Sequence, residues 1–206
     1  MRRVSRQTVL REWLRMERTD AETDRDPVEG LSERAVLDEL LDHKPGAAAF
    51  VWRDAPVEWY ELTLDRETFS RLRVIDGVDG LRWRALAPDD TVLGAARRVA
   101  REDPAALTAR TGVDVERIRR FRADPPGGPL VLATRRGCVP VTVADGNHRA
   151  VALALDLLAG EPVTFPRAYL GRGANPVVGP LRQRVCGFVR GVLGRVFGRS
   201  GSDLPE

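Results

Sequence analysis

The sequence predicts an α+β fold: a small mixed sheet with a helical insert and helical terminal arms. Three observations predict it. Val57 to Leu64 alternates side chains between two faces, and Val139, Val141 and Val143 recur at period two, the mark of strands. Between these runs, segments from Pro88 to Arg122 carry apolar residues at helical spacing. Ala150 to Ala159 is apolar nearly all round, so that helix is expected to be buried. With 206 residues, 43% of them hydrophobic, the chain can bury one sizeable core and still carry arms. The expected layout is an N-terminal helix and linker over residues 1–30, a domain over 31–175 with its helical insert at about 89–124, and a basic amphipathic arm over 176–206.

Ser5 to Glu17 places Val9, Leu10, Trp13 and Leu14 on one helical face, and Thr19 to Gly30 is polar and aperiodic, which suits a linker. Ser32 caps a helix through His43, ended by Pro45-Gly46. Ala47 to Trp52 is expected as a short apolar strand and Val57 to Leu64 as a second, with Glu58 or Glu61 as a candidate base or an exposed strand carboxylate. Asp65 caps a short helix. Leu81, Trp83 and Ala85 alternate with Arg82 and Arg84, suggesting a strand with an arginine-lined face. Helices are expected from Pro88 to about Glu102, from Pro104 to Arg110 and from Asp114 to about Arg122. Thr111-Gly112-Val113-Asp114 joins the last two in a weak likeness to a helix-turn-helix. Asp124-Pro125-Pro126-Gly127-Gly128-Pro129 breaks regular structure. Leu130 to Ala133 and Val139 to Val143 then form a hairpin, and Val163 to Leu170 returns as a strand after the buried helix.

The chemistry concentrates at one corner. Asp145-Gly146-Asn147-His148-Arg149 is the only polar cluster in an apolar-rich run, and it lies where a strand hands over to a helix. The first turn of a helix has unsatisfied N–H groups and a partial positive charge. Gly146 would let an anion approach the backbone, Asn147 would cap, Arg149 would clamp phosphate oxygens, and His148 would donate a hydrogen bond or move a proton. The competing interpretation is an ordinary Asp-Gly turn followed by solvated first-turn residues.

A strand ending in Asp-Gly-Asn-His-Arg-Ala and opening a buried Ala-rich helix resembles the ParB/sulfiredoxin superfamily, most clearly over Val141 to Leu155. Partition proteins of the ParB type, free serine kinases and sulfiredoxins carry versions of this turn; Asn147 stands where sulfiredoxins have their cysteine, so that chemistry is not expected. The resemblance implies a nucleotide-binding domain for ATP or CTP with Mg²⁺ possible, and a phosphotransferase or NTP hydrolase if catalytic. Gly146, Asn147, His148 and Arg149 would hold phosphate. His148 and Asp145 would be the catalytic candidates, with Asp145 orienting the turn or binding Mg²⁺. The alternatives are a DNA-associated regulator, in which Arg117 to Arg122 would meet DNA, and a non-catalytic interaction module.

Composition bounds the rest. The net charge is +3 and the positive charge is almost all arginine, Lys44 being the only lysine. The near-equal number of acids argues against a histone-like binder. Cys138 and Cys186 make no disulfide framework, and His43 and His148 are too few for a histidine-rich metal site. With no 18-residue apolar run and no signal-peptide core, a cytoplasmic protein is expected. Residues 182–199 repeat apolar residues at helical spacing but include four glycines, each weakening a helix by ~1 kcal/mol. Such an arm needs a surface to bury its face: the domain, a second copy in a homodimer, or an anionic membrane.

Overall fold

A computed structural model describes residues 1–20, 27–51, 55–75, 82–135 and 138–173. The expected arm at 176–206, with Cys186, lies outside the described residues, as do Trp52 and Leu81.

The chain begins with a short strand, β1 (Arg2–Val4), and helix α1 (Arg6–Asp20). After a 3-10 turn at Val28–Gly30 comes α2 (Glu33–His43), and a 3-10 turn at Pro45–Ala47 runs into α3 (Ala48–Val51). Strand β2 (Val57–Thr63) and α4 (Arg66–Ser70) follow. Then come α5 (Trp83–Leu86), α6 (Val92–Arg101), α7 (Pro104–Thr111) and α8 (Val115–Ala123). The hairpin β3 (Leu130–Arg135) and β4 (Cys138–Asp145) leads into α9 (Asn147–Ala159), and β5 (Arg167–Gly173) returns. Short polar side chains start the helices by accepting backbone N–H bonds: Ser32 from Ala35, Asp65 from Thr68, Thr91 from Gly94, Asp103 from Ala106 and Asp114 from Arg117.

The strands form one mixed sheet in the order β1-β2-β5-β3-β4, with β3 and β5 parallel and the other neighbours antiparallel. This is the α+β class with a small mixed sheet that the sequence predicts. Strand alternation divides the core between the two faces. Leu132, Val143 and Ala168 pack with α6, α8 and α9, whereas Trp59, Val131, Ala144 and Tyr169 pack with α1 and α2. The α9 helix is lined by buried Ala150, Val151, Ala152, Ala154 and Leu155, which accounts for its nearly all-apolar sequence.

Several elements differ from expectation. Residues 47–51 are a 3-10 turn and a helix, not a strand; a short apolar run has no period that separates the two, and Ala47 and Val51 are buried among α1 and α2. Trp83–Leu86 is also helical: Trp83 and Leu86, one turn apart, are buried while Arg84 and Ala85 are exposed. Val92, capped by Thr91, starts α6, so Pro88 to Asp90 precede it. β5 starts at Arg167 because Pro162 and Pro166 cannot donate to a ladder. The helix expected from Ser5 to Glu17 packs on the domain: its Val9, Leu10, Trp13 and Leu14 are core side chains, and Arg2–Val4 before it adds an edge strand that was not expected.

Candidate functional site

The β4–α9 corner is built around Gly146. Its φ is +88°, in the left-handed region where glycine is favoured, and a Cβ there would meet Leu130 Cδ2 at 2.6 Å and Arg149 Nη2 at 2.9 Å. Gly146 therefore occupies the capping position expected for Asn147, which is the first helical residue. Asn147 is 6% exposed and acts as a staple. Its Oδ1 accepts from the Ile75 backbone N–H at 3.2 Å and its Nδ2 donates to the Val143 carbonyl at 3.0 Å. The first intrahelical bond of α9 is donated by Ala150 to the Gly146 carbonyl at 2.8 Å. The amides of the preceding turn have no partner within the helix.

Asp145 ends β4 and is buried. Its carboxylate accepts a hydrogen bond from Lys44, which also donates to Glu17 Oε1 at 2.7 Å. Burial works to lower the Lys44 pKa, but the carboxylates of Asp145 and Glu17 outweigh it and the pKa is raised. The only lysine is thus a half-buried cation bridging β4 and α1.

Arg149 faces the same corner with its terminal nitrogens engaged. Nη1 donates to the Gly127 carbonyl and Nη2 to the Pro129 carbonyl, each at 3.0 Å. Met16 Sδ lies at 3.5–3.6 Å from the two nitrogens and Asp145 Oδ2 at 3.8 Å from Nη2. Arg149 therefore ties the Asp124–Pro129 strap down across the turn. His148 points its ring at an aromatic wall: the Trp83 ring lies edge-on with centroids 4.9 Å apart, and Phe121 is at 6.5 Å. Its Nε2 is buried without a hydrogen-bond partner. Burial, with the Arg117 charge adding to it, lowers the His148 pKa to about 4. The ring is neutral near pH 7, so it supplies no positive charge to a phosphate.

These residues surround a cavity of about 550 Å³. Its walls differ in character. Lys44, Asp145 and Arg149 line it beside the first turn of α9, while Met16, Phe50, Trp83 and Phe121 form an apolar and aromatic wall. All five residues of the Asp145–Arg149 motif line it. Sequence reasoning missed Glu17, Met16 and Lys44; the one signal available was that Lys44 is the only lysine. Glu58 and Glu61 do not line the cavity. They sit at the β1–β2 edge in ion pairs with Arg3 at 3.3 Å and with Arg2 and Arg167, the last at 3.1 Å. Among the described residues, no group of three or more His, Cys, Asp or Glu side chains is placed to hold a metal ion. No described helix is long and apolar enough to cross a membrane.

Compared with protein-family models, with curated proteins and with solved structures, the chain matches none.

Proposed function

We propose that the cavity beside the β4–α9 turn binds a nucleotide such as ATP or CTP. One observation carries this reading: the first turn of α9, opened by left-handed Gly146, lies on a cavity lined both by cations, among them Lys44, and by the aromatic rings of Trp83, Phe121 and Phe50. The backbone amides of that turn and the Lys44 ammonium suit phosphate oxygens. Trp83, Phe121, Phe50 and Met16 suit a planar base. The volume, about 550 Å³, is in the range of small-molecule sites. The likeness of Asp145 to Arg149 to the ParB/sulfiredoxin turn supports the same ligand class.

The roles within the cradle shift from those the sequence suggests. Lys44 becomes the phosphate-facing cation, already held charged by its neighbours. Arg149 becomes the residue that fixes the strap closing one side of the cavity. His148 contributes a neutral ring to the wall. Asp145 positions Lys44, and Mg²⁺ would arrive with the nucleotide, held largely by its phosphates. If the bound nucleotide is turned over, the step is phosphoryl transfer or hydrolysis, in which the protein acts mainly by positioning and charge.

Calorimetry with ATP and CTP in Mg²⁺ tests this on the wild type, Lys44→Met and Lys44→Arg. Removing a charged hydrogen bond should weaken binding by about 10–150-fold, the equivalent of ~1.5–3 kcal/mol, in Lys44→Met, with Lys44→Arg retaining most of it. Absence of binding to the wild type, or equal binding by Lys44→Met, would overturn the proposal.

A further inference from the structure

A second cavity, of about 290 Å³, lies against the Asp124–Pro129 strap. It shares Phe121, Pro126, Gly127, Gly128 and Arg149 with the first cavity and has its own walls beyond them. Three parts of the chain build those walls. Arg149 and Leu153 stand four residues apart on α9, so one face of the helix offers a cation and then an apolar side chain. Leu130 opens β3, and the parallel register sets it opposite Ala168, next to Arg167 at the start of β5. Pro125 and Pro126 of the strap and Pro166 before β5 complete the wall with rings that have no N–H to donate.

The composition of the lining selects a ligand. Phe121, Leu130, Leu153 and the three prolines make most of it apolar, so an occupant needs a hydrocarbon body. Among the described residues of the lining, the only charged side chains are Arg149 and Arg167, and none is a carboxylate. Arg149 uses its two terminal nitrogens on carbonyls, which are neutral. The carboxylate of Asp145 stands 3.8 Å from it and is shared with Lys44, so the positive charge is only partly offset. The Arg167 side chain is 63% exposed, and its pair with Glu61 at 3.1 Å is a surface pair that solvent screens and a better-placed anion displaces. Glu61 keeps Arg2 as its partner when Arg167 leaves. Thr164, also exposed, adds a hydroxyl donor to the lining. A planar carboxylate matches the fork of a guanidinium in a way that a neutral group does not. The volume, at the lower end of small-molecule sites, suits a compact acid.

We propose that this second cavity binds a small apolar monocarboxylate, with its hydrocarbon body against Leu130, Leu153 and the strap prolines and its carboxylate on Arg167. Leu130, Leu153, Thr164 and Arg167 do not line the first cavity, so either assignment stands if the other fails.

Titration of the isotope-labelled full chain with hydrocinnamate and with isocaproate, followed by backbone amide NMR, tests the proposal. The matching primary amides keep the hydrocarbon body and remove the charge, and inorganic phosphate keeps a charge and removes the body. Two variants accompany the wild type: Arg167→Gln, and Arg172→Gln, which removes the same charge from another exposed position on β5. At least one of the acids should give saturable shifts centred on Leu130, Leu153, Thr164 and Arg167. Replacing that acid by its amide, or Arg167 by Gln, should each lower the affinity about tenfold or more. Arg172→Gln should bind as the wild type, and phosphate should leave these amides unmoved. Should Arg167→Gln lose the dispersed spectrum of a folded chain, the acid and its amide on the wild type decide alone. No saturable shift with either acid, equal binding of acid and amide, equal loss in both variants, equal shifts with phosphate, or shifts centred on Trp83 and Asn147 of the first cavity would overturn the proposal.

Discussion

His148 gives the structure a specific acid sensitivity. Its pKa falls from the ordinary 6.5 to about 4 because the imidazole is buried between Trp83 and Phe121, where the charged form loses its hydration. The folded pKa lies below the unfolded one. Between those values the unfolded chain binds more protons, so stability falls as the pH falls. The full effect is about 3 kcal/mol, from ~1.4 kcal/mol per pKa unit, and about 2 kcal/mol of it is lost between about pH 7.5 and about pH 5. Urea unfolding of the wild type and of His148→Leu at both pH values isolates the contribution, because the carboxylates common to both proteins cancel. The wild type should lose about 2 kcal/mol more than the variant over this interval. Proton NMR gives the direct reading, since the chain has only two histidines, His43 and His148. A His148 imidazole that titrates near 6.5, or identical pH dependence in the two proteins, would refute the reasoning.

Three further outcomes follow from the same corner. Asn147→Ala strands the Ile75 N–H and the Val143 carbonyl and should cost about 2–4 kcal/mol in urea unfolding, whereas Arg34→Ala, at an exposed position of α2, should cost under about 0.5 kcal/mol. Gly146→Ala forces a Cβ to within 2.6 Å of Leu130 Cδ2 in a left-handed backbone, so about 2 kcal/mol or more of stability should be lost; an unchanged melting temperature would contradict the geometry. Arg149→Met removes both hydrogen bonds to the strap, and hydrogen exchange at Gly127 and Gly128 should quicken while the β3–β4 hairpin stays protected; protection of the strap equal to the wild type would show that Arg149 does not hold it.

Much of the core was legible because its signals are local. The period-two runs in β2 and β4, the Asp-Gly break and the all-apolar helix after it each follow from neighbouring residues, and they locate the turn from Asp145 to Arg149. The elements that were misread are short. Ala47 to Val51 and Trp83 to Leu86 carry too few residues for their period to distinguish helix from strand, and their fate is set by the surfaces they pack on. The roles within the site were less legible than its location. Lys44 reaches Asp145 across 101 positions in the sequence, and nothing local to either residue announces the pairing. The partners of Arg149 are the backbone carbonyls of Gly127 and Pro129, which leave no side-chain signature. Asn147 looks like a cap, yet its amide is used to join Ile75 to Val143. In the α7–α8 unit the glycine of the turn was visible, but the burial of Thr111 and Val113 on either side of it was not.

The central claim is that the first turn of α9 and Lys44 hold the phosphates of a nucleotide. Titration of the isotope-labelled protein with ATP or CTP in Mg²⁺, followed by backbone amide NMR, tests it most directly. Saturable shifts should be largest at the amides of Gly146, Asn147, His148 and Arg149, accompanied by shifts at Lys44. Shifts that do not saturate, or that concentrate away from this turn, would contradict it.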